Sequence, residues 1–470
     1  MVNVTYSPEQ NVQTWIDGEV FTYSNADMVW VLVASVLVMI MVGGVGFLYS
    51  GLLRRKNALS MLFLAFTVFS VASIHWMLFG YSLAFSDTGS SFIGDFRYGG
   101  FVNTDIAPSG RIPLLLFAFY QNMFAGVTAV IVSGGAAERA RTIPTLIFIF
   151  LWLTICYCPV ANWVWNANGW IFALGDLDYA GGGPVHITSG TAVFALSWFL
   201  GPRRGYGTAK LAYRPHSVSH IIIGTMLLWF GWFGFNGGSA FAINLRAIQS
   251  CVATQVATSM AAITWTGLDY IYTGKLSAVS MASGCLAGLV GITPAAGYVG
   301  APAALAIGFL TAIAANYATG IKVLLKIDDA VDSFALHGVG GFVGSFLTGL
   351  FADSRVTSFD GLTEIDGGWI NRNWIQLGYQ LASSVTIMSY TFVVSVILLY
   401  MINYIPGLKL RASEDQEIVG MDEAECGETA YDFVQIRREV EGGDETNTAV
   451  PSVHTTNSHE KVNKSPEQEA

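Results

Sequence analysis

Long stretches of this chain are almost entirely apolar, and polar or charged positions are concentrated between them. Apolar runs of roughly 20 residues are typical of membrane-spanning helices. Eleven such runs occur along the chain. We predict spans at residues 27–52, 58–85, 113–136, 143–166, 184–201, 217–240, 248–272, 277–296, 300–321, 333–352 and 375–404.

The order of these runs predicts the domain organisation. An extracellular N-terminal segment (1–25) precedes a transmembrane domain (26–404), which a cytosolic C-terminal region (405–440) and a disordered cytosolic tail (441–470) follow. Basic residues fall mainly in alternate loops, and such loops face the cytosol in multi-span proteins. An odd number of spans then places the N-terminus outside, which makes Asn3 a candidate glycosylation site.

Composition locates the charge and excludes several classes of protein. Of the 470 residues, 53% are hydrophobic and 12% are charged, with a formal charge of -10. From residue 405 onward there are 15 acidic and 6 basic residues, so the acidity belongs to the tail and does not predict the charge of a substrate. The sequence contains no phosphate-binding glycine loop, nucleophile elbow or clustered metal ligands. We therefore predict no enzyme activity, no cofactor or metal, and no nucleic-acid partner.

Two histidines lie inside apolar, glycine-rich runs. His186 and His337 each follow an aspartate by eight residues, Asp178 and Asp329 respectively. A titratable ring inside a membrane is costly, so it usually marks a transport path or a proton relay. The alternative for either ring alone is a neutral core histidine bonded to a neighbour. If spans 1 to 5 and 6 to 10 are inverted repeats with a final eleventh span, the two histidines meet near the membrane centre.

Ten segments of the chain carry a family resemblance. In order they are GFLYSGL (46–52), GYSLAF (80–85), YQNMFAGVT (120–128), YCPVANWVWNANGW (157–170), LDYAGGGPVHITSG (177–190), RPHSV (214–218), LWFGWFGFNGGSA (228–240), GLVGITPAAGYV (288–299), IDDAVDSFALHGVGG (327–341) and IDGGWIN (365–371). From about residue 26 to 433 the chain resembles the Amt/Mep/Rh ammonium transporter family, and most closely fungal permeases of the Mep type. The resemblance implies a homotrimer in the plasma membrane, with one pore per subunit, that takes up ammonium and methylammonium.

The resemblance also implies roles for aromatic residues at the external mouth. Trp165, Phe124 and Ser239 resemble the site that recruits ammonium, and Phe124 with Phe235 resembles the stacked phenyl gate. These residue types suit a small cation, because aromatic faces attract it and a hydroxyl accepts one of its hydrogen bonds. The alternative for Trp165 is a residue of the aromatic belt at the membrane surface.

Beyond the gate, the resemblance makes His186 and His337 the twin-histidine pair of a hydrophobic pore. Asp178 matches the family aspartate that acts near the external site through structure and electrostatics. An intact cation would lose its hydration in such a pore, whereas ammonia needs one or two hydrogen bonds. We therefore favour deprotonation at the gate, followed by passage of ammonia and a proton.

The C-terminal region contains a further match. EIVGMDEAECGETAYDF (417–433) resembles the family's cytosolic C-terminal region, and we predict that it docks on the cytosolic face. The candidate regulatory residues are Gly420, Asp422, Gly427, Glu428 and Tyr431. The polar sequence beyond them is too poor in apolar residues to fold alone. Its candidate phosphorylation sites for a kinase are Ser452, Ser458 and Ser465.

Three rival hypotheses remain open. Some fungal relatives carry a glutamate where this chain has His186, and the histidine-bearing subgroup includes ammonium sensors, so the chain could be a receptor that signals through its tail. A neutral ammonia channel of the Rh kind would transport without current. An intramembrane metalloenzyme would need three or four ligands where two histidines are predicted.

Overall fold

A computed structural model describes residues 4–6, 11–16, 19–207 and 215–431. The chain up to Ala430 forms one compact unit, and a second unit begins at Tyr431. Within the first unit, helices account for most of the described residues and two small sheets complete it.

Eleven helical segments of at least 15 residues follow one another in the described ranges. Several of them change between α, 3-10 and π geometry along their length. They are α1 (Asn25–Leu52); a 3-10 turn (Arg55–Asn57) with α2 (Ala58–His75), a π turn (Trp76–Gly80) and α3 (Tyr81–Phe85); α4 (Leu114–Val132) with a 3-10 turn (Ser133–Ala136); α5 (Thr142–Trp152), a π turn (Leu153–Tyr157), α6 (Cys158–Trp165) and α7 (Trp170–Leu174); a π turn (Gly182–Ile187) with α8 (Thr188–Leu200); α9 (Val218–Gly238); α10 (Leu245–Thr273); α11 (Ala278–Ile292); α12 (Ala301–Leu325); a π turn (Phe334–Val339) with α13 (Gly340–Phe351); and α15 (Gln376–Tyr404).

Shorter elements connect these segments. They are a 3-10 turn (Gly99–Phe101), α14 (Ser354–Thr357), two further 3-10 turns (Ser358–Asp360 and Trp369–Asn371), α16 (Glu414–Val419) and a π turn (Asp422–Cys426).

The predicted all-α polytopic membrane architecture is confirmed. Among the described residues, eight helical segments are long and apolar enough to cross a membrane, and α11 is a shorter apolar helix. The ends of the eleven segments agree with the predicted spans to within four residues, with one exception. The fourth run was predicted to end at residue 166, but after a break the chain continues as the short helix α7.

The N-terminal segment contains structure that the hydropathy pattern does not predict. Strands β1 (Val4–Tyr6), β2 (Asn11–Ile16) and β3 (Glu19–Ser24) form an antiparallel sheet, with Val4 opposite Thr14 and Asn11 opposite Ser24. Their β-branched and aromatic residues favour strands. The side-chain oxygen of Ser24 then accepts from Asp27 N and caps α1, so the sheet leads directly into the first helix. A second hairpin pairs β4 (Pro108–Ser109) with β5 (Ile112–Pro113).

Glycines allow α1 and α9 to pack closely along their length. A Cβ on Gly224 would lie 2.5 Å from Leu48 N, and one on Gly231 would lie 2.6 Å from Leu37 O. Small residues at such contacts replace the hydrophobic effect as the basis of helix association in a membrane. These two helices begin the first and second sets of five segments, so their contact joins the two halves.

The outward faces of several helices are apolar. Val29 and Val36 on α1 are 62% and 52% exposed, and Phe230 on α9 is 55% exposed. Such surfaces are costly in water but suit lipid or another subunit.

Candidate conduction site

Both predicted histidines lie in π-helical turns. His186 belongs to the turn Gly182–Ile187 before α8, and His337 to the turn Phe334–Val339 before α13. A π turn adds a residue to the helical repeat and changes which face its side chains share, and such turns are frequent at functional sites. The same irregularity thus positions both rings.

Glycines allow the two turns to lie close together. A Cβ on Gly190 would lie 2.1 Å from Gly338 N, and one on Gly341 would lie 2.9 Å from His186 Cβ. No side chain larger than hydrogen fits between α8 and the second turn without displacing the backbone. The close approach brings the imidazoles into contact.

The imidazoles form a direct pair. His186 Nδ1 and His337 Nδ1 lie 3.2 Å apart, with ring centroids 5.3 Å apart. One ring must donate and the other accept, because both nitrogens cannot carry a proton in the same bond. His186 is fully buried and His337 is 6% exposed, and His186 Nε2 has no hydrogen-bond partner among the described residues. One proton is therefore shared between two rings that are shielded from solvent.

An aspartate precedes each histidine turn and binds its backbone. Asp178 Oδ1 accepts from Gly181 N at 2.7 Å and Gly182 N at 2.8 Å, and its Oδ2 accepts from Gly183 N at 2.7 Å. Asp329 Oδ2 accepts from Phe334 N at 2.8 Å. A carboxylate at this position stabilises the exposed N–H groups that begin a helix. The paired Asp and His spacing of the sequence thus corresponds to a repeated capping arrangement.

Two phenyl rings lie beside this pair. Phe124 on α4 and Phe235 on α9 stack with centroids 4.0 Å apart and planes at 23°, and both are buried. Phe235 also lies 6.0 Å from the His186 ring, and Phe124 lies 6.0 Å from Trp165 in an edge-on arrangement. Trp165, Phe124, Phe235, His186 and His337 therefore form a continuous line of rings.

A small cavity opens at the Trp165 end of this line. Its volume is about 100 Å³, its walls include Gln121, Phe124, Trp165 and Ser239, and a larger cavity of about 400 Å³ shares Trp165 and Ser239 with it. Trp165 Nε1 donates to Asp178 O at 3.2 Å, which fixes the orientation of the indole. The structure brings together the three residues predicted to recruit the substrate.

The polarity of Ser239 suits a donor-rich ligand. Its Oγ donates to Phe235 O at 2.8 Å, so the single hydroxyl proton is already engaged. Tyr120 Oη, which donates to Phe235 O at 2.7 Å, lies 3.3 Å from the same Oγ. The lone pairs of Ser239 Oγ can accept a hydrogen bond from a molecule in the cavity.

Comparison with known proteins decides the family. Residues 29–431 match the model of the Ammonium Transporter Family. The chain belongs to the ammonium transporter family. It is 47% identical over 413 residues to "Ammonium transporter 1" of Schizosaccharomyces pombe and 48% identical over 416 residues to "Ammonium transporter MEP2" of Saccharomyces cerevisiae; each match covers 87% of this chain and 83% of the relative. The crystal structure of Candida albicans Mep2 superposes with a TM-score of 0.80 at 49% identity, covering 84% of this chain and 88% of that one.

One ring of the site in this ammonium transporter, that of Trp232, was not predicted from the sequence. Trp232 stacks on the His186 imidazole with centroids 5.3 Å apart and planes at 17°. A residue three positions before Phe235 on a helix faces the same side as Phe235, so helical periodicity contained the signal.

The C-terminal region contacts the start of the second transmembrane segment. Asp422 Oδ2 accepts from Leu59 N at 3.0 Å and its Oδ1 accepts from Ser60 N at 2.7 Å. Gly420 has φ +116°, and a Cβ there would lie 2.5 Å from Lys56 O. Among the candidate regulatory residues, the structure therefore places Asp422 and Gly420 against the start of α2.

The remaining tail candidates are distributed differently. Gly427 ends the last π turn with φ +66°, and Glu428 N donates to Asp422 O at 3.4 Å. Tyr431 belongs to the second unit. The modification candidates lie outside the described residues; they are Asn3, Ser452, Ser458 and Ser465.

A buried ion network lies near the docked tail. Arg203 Nη1 lies 2.9 Å from Glu138 Oε2, its Nε lies 2.7 Å from Asp328 Oδ2, and Arg54 Nε lies 2.8 Å from Glu138 Oε2. Burial alone would raise the pKa of Glu138, but the Arg203 and Arg54 guanidinium groups reverse this and hold that pKa below its usual value. The network stays charged and links four loops on the side where the basic residues are concentrated.

Across residues 4–6, 11–16, 19–207 and 215–431, no group of three or more His, Cys, Asp or Glu side chains is arranged to hold a metal ion. His186 and His337 use their facing nitrogens for each other.

Proposed function

We propose that this chain imports ammonium across the plasma membrane through one pore in each subunit of a homotrimer. Ammonium is recruited at the outer aromatic cavity and loses a proton at the phenyl gate, and ammonia and the proton then pass the histidine pair separately. The line of rings from Trp165 to His337 is the observation that carries this proposal. The line leads from the outer aromatic cavity to a buried, proton-sharing pair, and none of its five members is an anionic side chain.

The outer cavity matches the hydrogen-bonding chemistry of ammonium. The cation has four donors and no acceptor, so it requires π faces and lone pairs. Trp165 and Phe124 each contribute about 0.5 to 2 kcal/mol of cation–π attraction, depending on desolvation. Ser239 Oγ supplies a hydrogen-bond acceptor. Binding of this strength concentrates the substrate and still allows it to leave, as conduction requires.

The phenyl gate favours deprotonation. Stacking at 4.0 Å leaves no space between the Phe124 and Phe235 rings, so a passing molecule must displace them and shed its water. The desolvation penalty for an ion in such surroundings is several kcal/mol, and a neutral amine avoids most of it. One N–H bond of ammonium breaks at this point: the proton passes to His186 Nε2, which has no hydrogen-bond partner among the described residues, and ammonia continues.

The histidine pair provides a route for the released proton. A proton that reaches His186 Nε2 allows the shared Nδ1 proton to move to His337 Nδ1, and the Nε2 proton of His337 can then leave. Ammonia can use the same two rings as a donor and an acceptor. Each cycle transfers one ammonia and one proton, so the transport carries current.

The basic loops support an orientation with the recruitment cavity outside. Arg54, Arg139 and Arg203 follow the first, third and fifth segments, whereas Trp165 lies in the C-terminal part of the fourth. Successive segments run in opposite directions, so these arginines and Trp165 lie at opposite ends of the helix assembly. Loops rich in basic residues face the cytosol. The β1–β3 sheet is then extracellular and the docked tail is cytosolic. Import from the outside follows from this orientation.

The direct test is electrical recording in cells that lack their own ammonium permeases. Ammonium and methylammonium should each evoke a saturable inward current that requires this chain. Methylammonium uptake without current would favour a neutral ammonia channel of the Rh kind. Neither uptake nor current at normal surface level would contradict the proposal.

A receptor is the second candidate function, and the docked tail favours it. Asp422 binds Leu59 N and Ser60 N at the start of α2, so tail position and the transmembrane helices are physically linked. A receptor should still signal when a substitution has abolished transport, whereas a transporter whose tail only regulates conduction should not. Truncation after residue 409 distinguishes a regulatory tail from a passive one. Loss of a regulatory tail should lower transport at unchanged surface level, whereas loss of a passive tail should leave transport unchanged.

A further inference from the structure

Trp232 is the largest side chain in contact with His186, and its position is fixed by a single hydrogen bond. It lies on α9, is 1% exposed, and stacks on the imidazole at 17° and on Phe235 at 39°, with both centroids 5.3 Å away. Its Nε1 donates to Thr293 Oγ1 at 2.9 Å. Thr293 lies at the C-terminal end of α11, so the bond connects two helices of the second half.

Thr293 can only accept in its hydrogen bond with Trp232. Its Oγ1 donates to Leu289 O at 2.8 Å and is fully buried, so the hydroxyl proton is engaged and a lone pair faces the indole. A buried indole N–H without an acceptor would be destabilised, and Thr293 prevents this. The indole therefore has one favourable orientation, which presents its face to His186.

The same short segment also positions the backbone of the histidine turn. Pro294 O accepts from Tyr179 N at 3.0 Å, and a Cβ on Gly182 would lie 2.7 Å from Pro294 Cβ. The residues after α11 thus contact the start of the His186 turn and, through Trp232, its ring. The arrangement restrains both the main chain and the imidazole of one histidine.

His337 lacks an equivalent support. Within the described ranges its ring makes an aromatic contact with His186 alone. An indole face stacked on an imidazole attracts the protonated ring more strongly than the neutral one, because the π system stabilises a cation. The two rings of the pair are therefore electrostatically unequal.

We propose that Thr293 and Trp232 are positioning residues for the twin-histidine pore: Thr293 orients the indole, and the indole holds the His186 imidazole and favours the proton on that ring. This inference rests on the proposed function, because it assigns a role in the passage of the proton. It adds two residues that act through His186 and make no contact with the outer cavity.

The test measures maximal current and half-saturating ammonium concentration separately. Thr293→Val keeps the shape of the side chain and removes the acceptor, so maximal current should fall by about threefold to tenfold, as expected for loss of one buried hydrogen bond. The half-saturating concentration should not change, because the outer cavity is untouched. Thr293→Ser retains the hydroxyl and should restore the current. Thr258→Val is the matched control, since Thr258 is a buried threonine on α10 whose hydroxyl donates to Thr254 O.

A double-variant cycle tests whether Thr293 acts through the indole. Trp232→Phe removes the N–H, and Thr293→Val should then cause no additional loss of current. An equal additional loss in that background would overturn the inference, as would unchanged maximal current in Thr293→Val. If Thr293→Val fails to reach the surface, Trp232→Phe alone decides, because unchanged maximal current there contradicts the role of the indole. Absence of current in the unsubstituted chain would instead refute the proposed function.

Discussion

The two histidine turns have the same design but different surroundings. Both are π turns of six residues preceded by an aspartate that binds their backbone. Around His186, however, Trp232 and Phe235 stack on the ring, and Asp178 accepts three backbone hydrogen bonds. His337 has no aromatic neighbour other than His186 among the described residues.

Because of this difference, the two rings of the pair are constrained to different degrees. The environment of His186 restricts the geometry of the shared hydrogen bond, since two aromatic rings pack against its imidazole and limit its rotation. His337 has fewer constraints, and its turn adjoins Asp329, which also caps it, and the Lys322–Asp332 ion pair with a contact of 2.6 Å. A pair with one fixed and one adjustable ring can pass a proton without losing its alignment.

The largest effect is expected from separating the two turns. In Gly190→Ala the new Cβ would lie 2.1 Å from Gly338 N, so α8 and the second turn must move apart. Transport should fall about tenfold or more, because overpacking of this kind typically costs 1 to 3 kcal/mol. Methylammonium uptake, normalised to surface level, measures the effect. Gly43→Ala is the control, since nothing lies within 4 Å of its Cβ position; equal uptake in the two variants would show that the close crossing is unimportant.

Removal of the adjustable ring is the next test. His337→Ala leaves His186 Nδ1 without its partner, and an unsatisfied buried nitrogen costs about 1 to 3 kcal/mol. Transport should therefore fall about tenfold, while the protein still reaches the surface because, among the described residues, the His337 ring has only His186 as a hydrogen-bond and aromatic partner. Uptake and surface labelling measure the two quantities. Uptake close to that of the unsubstituted chain would contradict the need for two rings.

Replacement of the fixed ring by an acid should have a smaller effect. In His186→Glu a carboxylate oxygen can accept from His337 Nδ1, so the hydrogen bond between the two positions persists. Transport should stay within about threefold of the original, given that a hydrogen bond to a charged group is at least as strong as the one replaced. Its dependence on external pH should change, because a carboxylate and an imidazole titrate differently. A superimposable pH profile would argue against titration of this position during transport.

The smallest effect is expected outside the gate. Trp165→Leu keeps apolar bulk and removes the π face, so the half-saturating ammonium concentration should rise by about twofold to fivefold, the equivalent of one exposed cation–π contact. Maximal current should change little, because both histidine turns are intact. A concentration dependence identical to that of the original would identify Trp165 as an ordinary interfacial tryptophan.

The sequence predicted most of the helical architecture because membrane spans depend on hydropathy over about 20 residues, a property that needs no tertiary information. Hydropathy did not predict the β1–β3 sheet, since its strands are short and lie in a polar segment. It also did not predict α7, because a five-residue helix after a break has too little apolar length to register.

The candidate site was predictable where residue spacing determines it. The matched spacing of Asp178 with His186 and of Asp329 with His337 suggested that the rings would meet, and the structure places their Nδ1 atoms 3.2 Å apart. The π turns were not predicted, because ordinary helical periodicity assumes 3.6 residues per turn. Helical periodicity places Trp232 on the same face of α9 as Phe235, but its stacking on His186 depends on how α9 crosses the His186 turn, which the sequence of one segment does not define.

The most direct test of the account is ammonium-evoked current in the double variant His186→Ala, His337→Ala, at surface levels matched to the unsubstituted chain. If the pair relays the proton and supplies the donor and acceptor for ammonia, the current should disappear while the stacked phenyl gate and outer cavity remain. Undiminished ammonium current in the double variant would show that the proton crosses without these rings and would contradict the account.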